Sequence, residues 1–322
     1  MKLIYSLLTA CAALTLAGQT AAQPSYPSQP IKLVVPFPAG GDSDILGRLL
    51  AQKLGTGLKQ SVMVDNRPGA TGIIGVETVA KAKPDGHTLL LTLAATHTML
   101  PHLHSRMSYD ALKDFVPIGM AVRSAIVLVV DPSLPVKSLS ELTALAKAKP
   151  GKLSYASWGN GSGGHLIGEA VKSRVGVDLI HVPYKGVALA MNDLMAGHIP
   201  VMFTGLSSAL PYIKAGKMRA LALVTKQRVP TLPDVPTLIE QGVDFEAESW
   251  YGLFAPAGTP AATIKQLNTE LNKALELPDL RDRLMSINFL PQPTTSEQFS
   301  DIINNDYAKW GKIINTIGIK ID

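Results

Sequence analysis

The sequence predicts an α/β fold of two lobes, each built on a mainly parallel β-sheet with helices on both faces. Short apolar runs, typical of buried strands, alternate with helical patterns over most of the 322 residues, and this alternation is typical of parallel sheets. The alternation starts once at Ile31 and again after Asp131-Pro132. The length and a hydrophobic content of 46% are enough for two domains with a core each.

The first series of elements precedes a less regular stretch around residues 107–117. Strands are predicted at Ile31–Val35, Val62–Val64 and Thr88–Leu93, and helices at Ile45–Leu54 and Gly72–Ala82. Pro84-Asp85-Gly86 is a turn sequence that separates the second helix from the third strand. The β-branched run Ala125–Val130 then predicts a long strand.

The second series repeats the alternation without repeating the sequence. Helices are predicted at Leu139–Ala148, His165–Arg174 and Ala188–Ala196, and strands at Leu153–Ser157, Leu179–Pro183, Pro200–Thr204 and Ala220–Thr225. Trp250–Ala255 predicts a further strand, which is followed by a Pro-Gly-Pro stretch and helices at Ala261–Leu275, Leu280–Ser286 and Ser296–Thr316.

The runs Ala125–Val130 and Trp250–Ala255 are interpreted as two crossings of the chain between the lobes. Lobe 1 then comprises residues 23–124 and 252–322, lobe 2 comprises residues 125–251, and a ligand cleft lies between them. Two independent domains in series would show the same periodicity, so this alternative stays open.

The N-terminal segment, residues 1–22, is predicted to be a secretory signal peptide. Lys2 precedes an uncharged run from Leu3 to Ala17, and small and polar residues up to Ala22 form a cleavage site. The protein is therefore expected to be exported. The box around Cys11 leaves lipoprotein anchoring as the less favoured alternative. Because Cys11 is the single cysteine, the mature chain is expected to have no disulfide and no cysteine metal site.

The charge pattern limits the classes of partner. The formal net charge is +5, and removal of the signal peptide takes away the charge of Lys2 and leaves +4. The sequence has no run of lysine and arginine and no basic–aromatic pattern, so no nucleic-acid partner is expected. The positive balance is compatible with small acidic ligands.

Residues 36–44 form a glycine-rich loop between the first strand and the first helix. Gly40 and Gly41 allow a tight turn and close approach of the backbone to a ligand, and Ser43 and Asp44 are good helix caps. The unpaired N–H groups of a helix start bind carboxylate or phosphate groups. The loop therefore predicts an anion site, with a capped turn that binds nothing as the alternative.

A second glycine-rich loop, residues 158–165, has the same design. It also follows a predicted strand and precedes a predicted helix, so it is a second candidate anion site. His165 stands at the helix start, where it either binds the anion or packs locally, and we favour the ligand.

The second loop also matches the G-x-G-x-x-G pattern of dinucleotide sites through Gly159, Gly161 and Gly164. In such sites an acidic residue ends the next strand, whereas Asp178 begins it. We therefore reject a nucleotide cofactor.

Catalytic and metal sites are not predicted. Neither Ser162 nor Ser207 stands in the G-x-S-x-G turn of serine hydrolases. His97, His102 and His104 are close in sequence, but no neighbouring carboxylate or further histidine completes a typical metal site. The sequence thus predicts a protein that is not an enzyme and that holds no metal or cofactor.

An ordered set of motifs extends over essentially the whole mature chain. It comprises residues 36–44, Asn66-Arg67-Pro68-Gly69-Ala70, Lys83-Pro84-Asp85-Gly86-His87-Thr88, Tyr155-Ala156-Ser157 with residues 161–166, His181-Val182-Pro183-Tyr184-Lys185-Gly186, Leu232-Pro233-Asp234-Val235-Pro236-Thr237 and Ala255-Pro256-Ala257-Gly258-Thr259-Pro260. With these motifs the chain resembles the Bug family of extracytoplasmic solute receptors, the substrate-binding components of tripartite tricarboxylate transporters.

The resemblance implies a periplasmic binding protein of the Venus flytrap type, whose two lobes close on a small organic acid and deliver it to membrane subunits of a transporter. It implies no catalysis and no cofactor. In such receptors one ligand carboxylate is held between the two glycine loops, here residues 37–44 and 157–165. The candidate ligand-binding residues are Phe37, Ala39, Gly40, Gly41, Ser43, Asp44, Ser157, Gly161, Ser162, Gly163, His165 and Thr204.

Two positions depart from the family pattern. Ser43 replaces the usual threonine of the first loop and keeps its hydroxyl group. Thr204-Gly205 stand where relatives often carry an acid or an amide, so the distal pocket is expected to suit a plain mono- or dicarboxylate better than an amino acid. Bulk at Gly40 or Gly163 is expected to weaken binding more than Asp42→Ala does.

Two other functions stay open at this point. An exported α/β enzyme acting on a carboxylated substrate would need a nucleophile, a base or a metal set. A sensor that presents its ligand to a signalling partner would have the same pocket. It would differ from a transport receptor in the protein that recognises its closed state.

Overall fold

The computed structural model describes residues 26–321. The predicted signal peptide, residues 1–22, and the alternative lipidation site at Cys11 lie outside the described residues. Within residues 26–321, no helix combines the length and the apolar character needed to cross a membrane.

Strands and helices alternate along the described chain in the predicted order. The strands are β1 (Ile31–Val35), β2 (Val62–Asn66), β3 (Thr88–Leu93), β4 (Phe115–Val130), β5 (Leu153–Ser157), β6 (Leu179–Pro183), β7 (Val201–Gly205), β8 (Arg219–Leu223), β9 (Glu248–Pro256) and β10 (Phe289–Pro291). The helices are α1 (Asp42–Leu58), α2 (Ile73–Ala80), α3 (Ala94–Thr98), α4 (Leu100–Leu103), α5 (Leu139–Ala148), α6 (Gly163–Val175), α7 (Val187–Met195), α8 (Leu206–Lys214), α9 (Ala261–Glu276), α10 (Pro278–Ser286) and α11 (Ser296–Ile317).

Four of these elements were not predicted: α3, α4, α8 and β10. Helix α8 contains Pro211, and a proline inside a helix normally argues against one. The other three are short, with five, four and three residues, and short elements carry too little periodicity to be recognised.

The first sheet places β1 between β2 and β3, and both pairs are parallel. Leu33 lies opposite Val64 on one side and Leu89 on the other. A parallel pair needs a crossover connection, and α1 and α2 supply the two crossovers. Strand β9 lies beyond β3 and runs antiparallel to it.

Strand β4 crosses from the first sheet into the second. Residues up to Ala125 pair with β9, whereas residues from Ile126 onward pair with β7 and β8. The predicted strand Ala125–Val130 is therefore the second part of a longer strand. Pro117 and Gly119, which flank a register shift in the pairing with β9, mask the first part because both residues are unusual inside strands.

The two sheets are mixed rather than mainly parallel. In the second sheet β5 runs parallel to β6 and β7, but β4 is antiparallel to β7 and β8. In the first sheet β9 is antiparallel to both β3 and β4. Strand β4 therefore runs against its neighbours in both sheets. The lobe boundaries at residues 124/125 and 251/252 stay a prediction.

Helices cover both faces of the sheets. Leu33 and Val34 are adjacent in β1, and both are buried in different apolar clusters, as strand geometry requires. Leu128 and Val129 of β4 are divided in the same way. Because both faces are filled, the loops at the carboxyl ends of the strands are the natural place for a ligand.

Candidate ligand-binding site

An inner cavity lies where the loops after β1 and β5 meet the crossing strand β4. Its volume is about 30 Å³, which is enough for a water molecule. It is lined by Phe37, Pro38, Gly41, Asp42, Ser43, Leu93, Ser124, Ala125, Ile126, Trp158, Gly186, Val187, Gly205, Ser249 and Tyr251. The lining thus combines residues of both predicted lobes.

An outer cleft of about 780 Å³ adjoins the inner cavity. The two share Phe37, Pro38, Trp158 and Gly186. The rest of the cleft is lined by Pro36, Pro68, Gly69, Ala70, Thr71, Gly72, Ile73, His104, Gly159, Asn160, Pro183, Tyr184, Lys185 and Ile321. A volume of this size is ordinary for a small-molecule site.

The first glycine loop leads into α1, and the N-cap of that helix is Gly41. The prediction that Ser43 or Asp44 caps the helix is wrong, because the helix begins at Asp42 and both side chains lie inside its first turn. A glycine N-cap leaves the first N–H groups of the helix without a side-chain acceptor.

Asp44 stabilises the first loop through hydrogen bonds to its own neighbours in the chain. Its Oδ2 accepts a hydrogen bond from the backbone N–H of Gly40 at 3.0 Å and another from Arg48 Nε at 3.1 Å. Although burial favours its neutral form, the hydrogen bonds from Arg48 and Gly40 hold the pKa of Asp44 below its usual range. Asp44 is therefore an anion whose charge is already compensated.

The two adjacent glycines of this loop, Gly40 and Gly41, differ in backbone conformation. Gly40 has a φ of +85°, and no described atom lies within 4 Å of a Cβ built on it, so the backbone conformation and not space requires glycine. Gly41 has an extended backbone with a φ of −90°. The expected sensitivity of Gly40 to bulk thus has a conformational reason instead of a steric one.

Only some of the candidate ligand-binding residues of the first loop line the inner cavity. Phe37, Gly41 and Ser43 line it, whereas Ala39, Gly40 and Asp44 lie outside the described lining of both cavity and cleft. Ala39 and Gly40 are exposed on the surface.

Two serines fix the shape of the second glycine loop. The Ser157 hydroxyl donates to the carbonyl of Gly159 at 3.0 Å and lies 2.6 Å from Nε2 of His181. Ser162 is the N-cap of α6, and its Oγ accepts a hydrogen bond from the backbone N–H of His165 at 3.3 Å. The second-loop candidates that lie outside the described lining are Ser157, Gly161, Ser162, Gly163 and His165, and the loop contributes Trp158, Gly159 and Asn160 instead.

His165 makes the local contacts of the packing alternative. Its Nδ1 accepts a hydrogen bond from the backbone N–H of Gly161 at 3.1 Å, and its ring stacks on His181 with 3.9 Å between centroids. Burial lowers the pKa of His165 and lowers that of His181 to about 4. Both rings are therefore neutral at pH 7, so His165 offers an anion an N–H group but no charge.

Close contacts join the two walls of the outer cleft. Thr71 Oγ1 donates a hydrogen bond to the backbone oxygen of Asn160 at 2.8 Å. A Cβ on Gly159 would lie 2.8 Å from Thr71 Oγ1, and a Cβ on Gly186 would lie 3.0 Å from Pro38 Cγ. Glycine is therefore needed at both points for the walls to meet.

Asp42 is a buried carboxylate in the wall of the inner cavity. Its Oδ2 accepts a hydrogen bond from the Tyr251 hydroxyl at 3.3 Å, whereas no described residue makes a hydrogen bond to Oδ1. Burial raises the pKa of Asp42 to about 6, against the lowering effects of Ser208 and Tyr251. Burial, and next the charge of Asp42, raise the pKa of Tyr251.

Thr204, the last candidate, is fully buried, and its Oγ1 has no hydrogen-bond partner among the described residues. It lies outside the described lining, where its neighbour Gly205 stands. Side chains alternate across a strand, so Thr204 is on the face opposite to the one that Gly205 turns to the cavity.

Comparisons with known proteins support the family resemblance that the motifs of this site indicate. Residues 46–319 match the model of the "Tripartite tricarboxylate transporter family receptor". The chain belongs to this family. Protein BugT of Bordetella pertussis is 35% identical over 303 residues, which cover 92% of each chain.

Two solved structures are similar to this family member over their whole length. A Rhodopseudomonas palustris protein solved with adipate has a TM-score of 0.89 and 35% identity, and the match covers 92% of this chain and 99% of that one. MatC from Rhodopseudomonas palustris with bound malate has a TM-score of 0.86 and 30% identity, over 90% of this chain and 100% of that one. The fold is thus that of the Bug-type periplasmic binding proteins, which are solute receptors and not enzymes.

The histidines that are close in sequence are separated in this receptor. His97 is fully buried and stacks on Phe254 with 4.2 Å between centroids, and burial lowers its pKa to about 3. His102 Nε2 lies 2.9 Å from the carbonyl oxygen of Tyr307, and His104 lies in the wall of the outer cleft. Within residues 26–321 no group of three or more potential metal ligands comes together.

Sequence reasoning missed Asp42, Trp158, Gly186 and Tyr251 as lining residues. Trp158 and Gly186 stand next to or inside quoted motifs, so proximity to those motifs was a usable signal. Tyr251 lies 209 residues from its hydrogen-bond partner Asp42, and a contact of that range leaves no trace in local periodicity.

Proposed function

We propose that this protein is a periplasmic receptor that captures a small organic carboxylate, either a mono- or a dicarboxylate, and delivers it to membrane subunits of a tripartite tricarboxylate transporter. Family membership supports the receptor class. The adipate and malate bound to the two similar structures support a carboxylate as the ligand. Cleavage of the predicted signal peptide near Ala22 would release the receptor into the periplasm.

The observation that carries the proposal is the position of the two glycine loops at one cleft. One loop precedes α1 and the other precedes α6. Helix α1 begins at Asp42 in the wall of the inner cavity, and α6 begins at Gly163, where an added Cβ would lie 3.3 Å from the lining residue Trp158. Helix starts carry unpaired N–H groups and a partial positive charge. A carboxylate held between these two starts would be bound by both halves of the molecule.

The proposed mechanism is closure of two lobes, residues 23–124 with 252–322 and residues 125–251. The contacts of Thr71 with Asn160 and of Pro38 with Gly186 join the walls of the cleft, and they would break when the lobes separate. A ligand that touches both walls shifts the equilibrium toward the closed state, because only that state offers all of its contacts.

The volumes support entry through the outer cleft. The inner cavity of about 30 Å³ is too small for an acid of several carbon atoms, whereas the outer cleft of about 780 Å³ has the size of a small-ligand site. Separation of the walls would join the two volumes and admit the acid to the loops.

A thermal-shift screen of the mature protein tests the proposal. The panel comprises aliphatic and aromatic mono-, di- and tricarboxylates, amino acids, neutral sugars and divalent metals. A ligand present at about 100 times its Kd adds roughly 2.7 kcal/mol to the free energy of unfolding, so at least one carboxylate should raise the melting temperature by several degrees. Stabilisation by a sugar or a metal and by no carboxylate would refute the proposal.

A further inference from the structure

Asp42 and Asp44 are both buried acids of the first glycine loop, and Asp42 is the one of the two that lines the described cavity. Oδ2 is fixed by the hydroxyl of Tyr251 at 3.3 Å. No described residue makes a hydrogen bond to Oδ1. The hydroxyl and backbone N–H of Ser208 lie close enough to lower the pKa of Asp42, but neither makes a hydrogen bond to Oδ1. A buried carboxylate oxygen without a hydrogen bond is costly, so Oδ1 is free to accept one from a ligand.

Gly205 is the reason that the carboxylate fits at this place. A Cβ built on Gly205 would lie 1.7 Å from Asp42 Oδ2, so any side chain there would displace the carboxylate. The sequence led us to expect no acid at the end of β7, because Thr204-Gly205 occupies that position. The structure corrects this expectation, since Asp42 brings a carboxylate to Gly205 from the first loop.

The surroundings of Asp42 contain no compensating cation. Among the described residues, the groups that shift its pKa are Ser208 and Tyr251, and neither is positively charged. Asp44, the other acid of the loop, differs in this respect because Arg48 binds it at 3.1 Å. A plain carboxylate ligand would therefore meet an uncompensated like charge, whereas an ammonium or hydroxyl group would meet a free acceptor.

We propose that Asp42 determines the specificity of the receptor by accepting, at Oδ1, a hydrogen bond from an ammonium or hydroxyl group of the ligand. The ligand is then a carboxylic acid that carries such a donor. This inference rests on the proposed function, and it names the class of acid within it. It replaces the expectation of a plain acid.

A purely structural role makes a different prediction. If Oδ1 binds only a water molecule, for which the inner cavity of about 30 Å³ has room, loss of the carboxylate weakens all acids by the same factor. A recognition role changes the ratio of affinities between an acid with the donor and the same acid without it. The ratio is therefore the decisive quantity.

The test measures Kd by calorimetry for acids that differ by one group: succinate against malate and aspartate, and propionate against lactate and alanine. For each further acid that binds in the screen, its analogue with or without the hydroxyl or ammonium group is added. Wild type is compared with Asp42→Asn, which is isosteric, and with Asp42→Ala. Asp178→Asn is the control, because Asp178 is exposed and lies outside the described lining.

In the wild type and in Asp178→Asn, the donor-bearing acid should bind about tenfold or more tightly than its plain analogue, as expected for a hydrogen bond to a charged group. Asp42→Asn should reduce the preference for the ammonium acid more than that for the hydroxy acid, since the amide oxygen accepts but carries no charge. Asp42→Ala should reduce both ratios to within about threefold.

Two results would overturn the inference and leave the receptor function standing: a plain acid that binds wild type as tightly as its donor-bearing analogue, or a ratio that is unchanged in Asp42→Ala because both members of a pair lose the same affinity. If no carboxylate binds the wild type at all, the proposed function fails, and this inference fails with it. Thermal melting of each variant verifies that it is folded. If Asp42→Ala does not fold, the isosteric Asp42→Asn decides, because an unchanged ratio for the ammonium pair in that variant would overturn the inference.

Discussion

The carboxylate of Asp42 occupies the space that a side chain at Gly205 would need. Oδ2 lies 1.7 Å from a Cβ built on that glycine, and 163 positions separate the two residues in the chain. Gly205 itself has an unstrained φ of −64°, which any residue adopts. The glycine is thus required by its neighbour and not by its own backbone.

Gly205→Ala should lower the free energy of unfolding by about 1–3 kcal/mol, because an added methyl group in a filled site forces its neighbours to move. The same substitution in the Asp42→Ala background should cost much less, since the clashing oxygen is gone. Urea denaturation of the four proteins of this cycle measures the difference. An equal cost of Gly205→Ala in both backgrounds would show that the two residues do not interact.

The titration of Asp42 should appear in the dependence of stability on pH. Its pKa is raised from 3.8 to about 6 by burial, so the folded protein binds a proton more tightly than the unfolded chain does. The resulting contribution to stability is complete below about pH 4 and is lost as the pH rises to about 6. The change is about 3 kcal/mol for a shift of this size.

Asp42→Asn removes this titration. The difference in unfolding free energy between wild type and Asp42→Asn, measured in urea from pH 4 to pH 7.5, should therefore fall as the pH rises and become constant above about pH 7. A difference that is flat, or one that rises with pH, would mean that burial does not raise the pKa of Asp42.

Local sequence patterns predict the order of strands and helices well. They do not predict which distant segments of the chain pair with each other. The β-branched run Ala125–Val130 marked a strand, but Pro117 and Gly119 hid the first part of β4 because such residues are unusual in strands. Similarly, the two glycine loops were recognisable as strand-to-helix turns, whereas the contact of Asp42 with Gly205 depends on two segments that meet only in the folded molecule.

The same limit applies to individual site residues. His165 at a helix start fits an anion site by sequence, yet its ring is stacked on His181 and bonded to Gly161. The sequence contains both histidines, but it does not show that parallel pairing of β5 with β6 places His181 next to Tyr155 and so within reach of α6. The assignment of a role to His165 needs that pairing.

The hydrogen bond from Thr71 to Asn160 should contribute to closure of the cleft. Thr71→Val keeps the β-branched shape and removes the donor, so carboxylate affinity should fall by about two- to tenfold, which corresponds to one hydrogen bond of 0.5–1.5 kcal/mol. Thr78→Val is the matched control, because the Thr78 hydroxyl is exposed and bonds only within α2, to Ile74 O at 2.9 Å. If calorimetry gives the same Kd for wild type and Thr71→Val, the contact does not support the closed state.

Gly40→Ala tests whether the first loop needs its left-handed backbone for binding. Gly40 and Gly216 have φ values of +85° and +69°, and a Cβ at either position would meet no described atom within 4 Å. Alanine should therefore cost each about 1–2 kcal/mol of stability through the backbone alone. Affinity for the carboxylate should fall in Gly40→Ala and stay unchanged in Gly216→Ala, and equal affinities in the two variants would exclude a role of the loop conformation in binding.

Binding of a small carboxylate in the cleft between the two glycine loops can be measured directly through Trp158. Trp158 lines both the inner cavity and the outer cleft, whereas Trp250 and Trp310 are buried elsewhere, in two different apolar clusters. Titration of the mature protein with the best acid of the screen should change tryptophan fluorescence with saturation at one equivalent. Trp158→Phe should lose that change while calorimetry still detects binding. A saturable change that persists in Trp158→Phe, or that only non-carboxylates produce, would contradict carboxylate binding in this cleft.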